Sequence, residues 1–162
     1  MSQQRNDGWL ATKLRKARQL SAPDWILIVQ SAAWFAVVEA GLRLLPLRTL
    51  ARILQGRRRA PRASGRRVSA EHASRCVDRA ARLDPFRATC LKKSLVLYAL
   101  LSRRGLEVEL FIGAAKTGGK LDAHAWLEHQ GRVITGGPAT GRYAPLWSLV
   151  GWPKDPISRQ VL

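Results

Sequence analysis

The longest apolar run in the chain, WILIVQSAAWFAVVEAGLRLL from Trp25 to about Leu45, is preceded by Ala22-Pro23-Asp24, and this order predicts a helix that starts there. Gln30, Ser31, Glu39 and Arg43 interrupt it, so its unbroken apolar part is shorter than a bilayer needs. The pattern favours a helix buried in a core or against a partner over a membrane span, and leaves peripheral membrane contact open. Pro46 ends this helix, and LRTLARILQ predicts a second, shorter amphipathic one that stops at Gly56. Arg57 to Arg67, with Pro, Ser, Gly and six arginines, reads as an exposed linker. Ser69 is a good N-cap for a third helix reaching about Leu83, with Ala73, Cys76, Val77 and Ala80 on one face. Cys76 on that stripe reads as a small buried apolar side chain.

After Asp84-Pro85 the periodicity becomes more informative. Leu91 to Gly105 predicts a helix with Cys90 in its first turn and Gly105 as its stop. Leu106–Ala114 and Ala123–Gln130 have the alternation of strands, and Gly131 turns the chain back into Arg132–Thr135. The expected fold is α+β, with helices first and a small antiparallel sheet after. Its divisions are a basic tail over 1–20, a helical region over 21–56, the Arg-rich linker over 57–68, a core over 69–152 and a tail over 153–162.

Composition narrows the classes. At 162 residues and 46% hydrophobic content the chain can bury one core. A net charge of +17 suits nucleic acid, an anionic surface or an acidic peptide, but the arginines form no aromatic-interleaved or finger-like motif, so no nucleic-acid partner is expected. Two cysteines, Cys76 and Cys90, make neither a disulfide framework nor a four-ligand zinc site, and the N-terminal stretch has no secretory apolar core. These features place the chain in a reducing cytoplasm with free thiols, and call for no cofactor and no metal.

The candidate chemistry centres on Cys90 and His124. A thiol at a helix start sits at the positive end of the helix dipole, which favours thiolate over thiol. Nucleophilic cysteine needs an imidazole to hold the ion pair and protonate the leaving amine. His124 opens the strand segment His124-Ala125-Trp126-Leu127-Glu128, in which His124, Trp126 and Glu128 share one face. His72 lies on a helix outside this arrangement, and His129 points away from His124 near the turn. Backbone N–H groups at the helix start, that of Cys90 included, are placed for a developing oxyanion. A helix-borne Cys followed by a strand His is the order found in papain-like and transglutaminase-like cores.

The segments Phe86-Arg87-Ala88-Thr89-Cys90-Leu91, Ser94-Leu95, Leu100 to Gly105, Ile112-Gly113 and Ala123 to Glu128 together resemble the peptidase part of the lasso-peptide biosynthesis B protein. The stretch from Trp34 to Leu54 is also similar to that family, so the likeness covers roughly residues 20 to 150. The resemblance implies a transglutaminase-like leader peptidase with Cys90 and His124 as catalytic residues. It implies as partners the lasso precursor peptide, a separate winged-helix (B1-type) leader-recognition protein and a cyclase resembling asparagine synthetase. The split form is expected because no recognition module fits before residue 20.

One position departs from the family pattern. The family usually places an Asp on the strand after the His strand. A two-residue turn at Gln130-Gly131 would set Gly137 opposite His124, with Gly136 beside it and Thr135 one step along. With no acid there, the group orienting His124 is Thr135, Glu128, Asp122 or a backbone carbonyl, or the pair acts as a dyad.

Overall fold

The computed structural model describes residues 21–56 and 68–149. Four helices lead into a four-stranded sheet, so the expected α+β class holds: α1 (Ala22–Leu44), α2 (Leu47–Gln55), α3 (Ala70–Ala81), α4 (Cys90–Ser102), then β1 (Glu109–Thr117), β2 (Lys120–His129), β3 (Arg132–Thr135) and β4 (Ala144–Leu149). The expected tails, and the expected linker over 57–68 apart from Val68, lie outside the described residues.

Helix α1 starts where Pro23 fits the first turn and where the Ser21 N–H donates to Asp24 Oδ2 at 2.9 Å. Leu27, Ile28, Ser31, Phe35, Val38 and Gly41 form its buried stripe, at spacings of one to four residues. That stripe packs on α3 and α4. By length and composition α1 could also cross a membrane, and its other side exposes Trp25, Ile26, Val29 and Val37.

Helix α3 is capped by Ser69, whose hydroxyl accepts from the His72 N–H at 3.1 Å. All four residues of its expected inner face, Ala73, Cys76, Val77 and Ala80, are buried. The helix ends at Ala81 rather than near Leu83, because the following residues close into turns and Leu83 swings out to solvent. In α4 every residue from Leu95 to Leu101 is buried, which places it between the other helices and the sheet. It stops at the expected glycine: Gly105 has φ 79°, and the Leu106 N–H returns to the Leu101 carbonyl at 3.1 Å.

The sheet is antiparallel in the order β3-β2-β1-β4. Two-residue turns at Gly118-Gly119 and Gln130-Gly131, all four residues with positive φ, make its two hairpins. Strand β1 begins three residues later than expected, since Leu106 still belongs to the end of α4. Leu110 and Leu127, paired across β1 and β2, join the core shared with all four helices. Phe111 and Trp126 point to the opposite face, stacked at 5.4 Å between ring centroids, and meet Tyr143 there. The short 3-10 helix Pro138–Arg142 and the edge strand β4 were not expected from the pattern.

Candidate active site

The start of α4 is built by Thr89, whose extended backbone ends the preceding loop and whose Oγ1 accepts from the Lys92 N–H at 3.3 Å. Cys90 is therefore the first helical residue, half-buried, among backbone N–H groups that have no partner inside the helix. Its loop is tied down from below. The Lys92 side chain is buried, and its ammonium donates to the Phe86 carbonyl at 2.9 Å while pairing with Glu39 of α1. Glu39 also meets Arg43 at 2.7 Å. Lys92 and, secondarily, Arg43 hold the Glu39 carboxyl below its usual range, against the opposing effect of burial.

One turn beyond Cys90 on the same helix side, the buried Ser94 hydroxyl donates to the Ala125 carbonyl at 3.2 Å. Ala125 follows His124 directly, so this bond fastens the first turns of α4 to the strand that carries the histidine.

His124 is held from two sides. Its Nε2 hydrogen-bonds the Gly136 carbonyl at 2.9 Å, and its ring stacks on Tyr143 at 4.8 Å. The Tyr143 hydroxyl donates to Asp122 Oδ2 at 2.7 Å and accepts from Arg142 at 2.7 Å. Arg142 also reaches Asp122 at 3.3 Å, and the Tyr143 oxygen, followed by Asp122, raises the Arg142 pKa. Because Nε2 is engaged, Nδ1 is the ring nitrogen left for a thiol. Cys90 Sγ makes no hydrogen bond to His124 among the described residues, and catalytic contacts commonly tighten only with substrate bound.

Of the four expected orienting groups, the backbone carbonyl is the one in contact. Glu128 instead accepts from the Trp126 indole N–H at 2.9 Å, Asp122 serves Tyr143, and Thr135 pairs with Leu127. The simple hairpin register fails because β3 carries an irregularity: Glu128 faces Val133 but Leu127 faces Thr135, so Ile134 is an extra residue. Gly136 follows with φ 111°, a conformation suited to glycine, and a Cβ there would stand 2.6 Å from Trp126 Cβ and 3.1 Å from His124 Nε2. The doubled glycine after β3 was the sequence signal for this close approach. Tyr143 gave no signal, since no strand was expected near it.

The other histidines lie apart from this site. His129 Nδ1 contacts the Glu107 carbonyl, while His72 pairs with Asp24 at 2.8 Å and lies 3.9 Å from Cys76 Sγ. Cys76 is fully buried, and burial, followed by the Asp24 charge, raises its thiol pKa.

The family model for the transglutaminase-like superfamily matches residues 32–148, well over half of the 162. The chain belongs to the transglutaminase-like superfamily. That superfamily includes cysteine peptidases and transferases. The match runs from within α1 into β4 and so includes Cys90, His124 and Gly136. No curated protein and no solved structure matches this transglutaminase-like chain.

Proposed function

We propose that this chain is a cytoplasmic cysteine peptidase that removes the leader from a lasso-peptide precursor, with Cys90 as nucleophile and His124 as base. The observation that carries the reading is the Ser94–Ala125 hydrogen bond, which joins the helix start bearing Cys90 to the strand bearing His124 in a chain of transglutaminase-like family. The finer assignment draws on the likeness of the segments around Cys90 and His124 to the lasso-peptide B protein.

In this reading His124 Nδ1 takes the Cys90 proton, and the thiolate attacks the scissile carbonyl. The N–H groups at the start of α4 hold the oxyanion. The imidazolium, steadied at Nε2 by the Gly136 carbonyl, then protonates the leaving amine, and water releases the acyl-enzyme. Interception by an amine in place of water would give transamidation from the same intermediate. A separate leader-recognition protein delivers the precursor, and the apolar residues exposed on α1 supply its docking face. The cyclase resembling asparagine synthetase takes the product.

The test is mass spectrometry of a precursor incubated with the chain and its recognition protein, beside Cys90→Ala and His124→Ala. A leader-sized fragment made by the wild type and by neither variant is expected; cleavage retained in either variant would sink the assignment. A second reading, a non-catalytic scaffold of the same maturation complex, is favoured by the unmade Cys90–His124 contact and by the uncharged partner of His124. It requires partner binding with no cleavage, and a Cys90 that resists thiol probes at neutral pH.

A further inference from the structure

We propose that Asp24, His72 and Cys76 form a binding site for one divalent metal ion of the zinc class, clamping the start of α1 to α3. The proposal stands independently of the peptidase reading, because none of these residues belongs to the Cys90–His124 site.

His72 and Cys76 are four residues apart on α3 and therefore project from one face, and Asp24 reaches them from the first turn of α1. His72 Nε2 lies 2.8 Å from Asp24 Oδ1 and 3.9 Å from Cys76 Sγ, and the three ligand atoms lie within 4.8 Å of one another. Zinc bonds of about 2.0 Å to nitrogen and oxygen and about 2.3 Å to sulfur, set tetrahedrally, separate neighbouring donors by about 3.3 to 3.6 Å. The observed spacings bracket that range.

The same geometry argues against a second hydrolytic triad. In a relay the thiol and the carboxylate address opposite nitrogens of the imidazole. Here both address Nε2, so one nitrogen would have to accept the thiol proton while its position is held by the acid. Convergence of three donors on one point suits coordination instead.

The donor set of one sulfur, one nitrogen and one oxygen selects zinc or cobalt over magnesium or calcium, which require oxygen. Bound as thiolate, with its proton released to solvent, Cys76 would join the Asp24 carboxylate in neutralising the ion's double charge. The second carboxylate oxygen of Asp24 accepts from the Ser21 N–H, which aims Oδ1 at the site. The His72 side chain is about one-third exposed (34%), which gives an ion its entrance and leaves a fourth position for water.

The experiment uses the full chain, freed of metal by a chelator and titrated with cobalt(II). One equivalent is expected to produce a thiolate-to-cobalt charge-transfer band in the near ultraviolet, displaced by zinc. Cys90→Ser should keep the band and Cys76→Ser should lose it. Should Cys76→Ser not fold, His72→Gln, altered at a partly exposed position, should fold by circular dichroism yet bind at least tenfold more weakly. Lack of stoichiometric binding, a band that follows Cys90, or unchanged affinity in His72→Gln would overturn the proposal.

Discussion

His124 Nε2 rests 2.9 Å from the carbonyl oxygen of Gly136, and no carboxylate touches the ring among the described residues. A carbonyl fixes the tautomer and the ring angle as an acid does, but it adds no full negative charge opposite an imidazolium. The Gly136 position should therefore be intolerant of size rather than of charge. Gly136→Ala places a Cβ against Trp126 and forces a φ of 111° on an ordinary residue, at a cost of about 1 to 3 kcal/mol. Leader cleavage should fall at least tenfold while circular dichroism shows an intact fold; unchanged cleavage would remove the carbonyl from the mechanism.

Tyr143 carries the other half of the support. Tyr143→Ala removes the ring stacked on His124, a contact of the class worth about 0.5 to 1.5 kcal/mol, so kcat/KM should drop roughly two- to tenfold. Tyr143→Phe and Asp122→Ala each keep the ring and remove the hydrogen bond from its hydroxyl to residue 122, and should cost less than Tyr143→Ala. Equal losses in all three variants would show that the hydroxyl, not the stack, matters.

The fold was legible in the sequence wherever a single period ran long enough to be read. The apolar run after Pro23, the Ser69 cap and the Gly105 stop each gave an element whose place the structure keeps. Near His124 the outcome depended on one inserted residue, Ile134, and on a glycine whose side-chain absence lets a carbonyl come close. Neither leaves a periodic trace. Strand β4 escaped for a related reason: Ala144, Pro145 and Leu146 are all exposed, Pro145 argues against a strand interior, and only Trp147 and Leu149 turn toward the core, too short an alternation to follow.

Acid should loosen the clasp beneath Cys90. The Glu39 pKa is depressed in the folded chain, so its contribution to stability is present above the unfolded glutamate value and is lost as pH falls through the folded one. Glu39→Gln should lower stability at neutral pH and flatten the acid limb of a denaturant-midpoint profile. Asp24 is depressed as well, first by Ser21 and then by His72, so part of the acid slope should persist in the variant. A profile parallel to the wild type would show that Glu39 is not coupled to folding.

The two thiols should separate by rate. Cys76 is fully buried with its pKa raised, while Cys90 is half-buried at a helix start. A thiol-reactive disulfide reagent should titrate one fast group in the native chain, absent from Cys90→Ala, and two after denaturation. Two fast groups in the native chain would contradict the core position of Cys76.

The acceptor on His124 belongs to the main chain, and the genetic code specifies a main-chain carbonyl at every position. No exchange of one amino acid for another can delete it, so inheritance guards this contact through the spacing of codons between the hairpin turn and Gly136. Loss or gain of a single codon there would cut the histidine adrift more surely than many replacements in the same stretch.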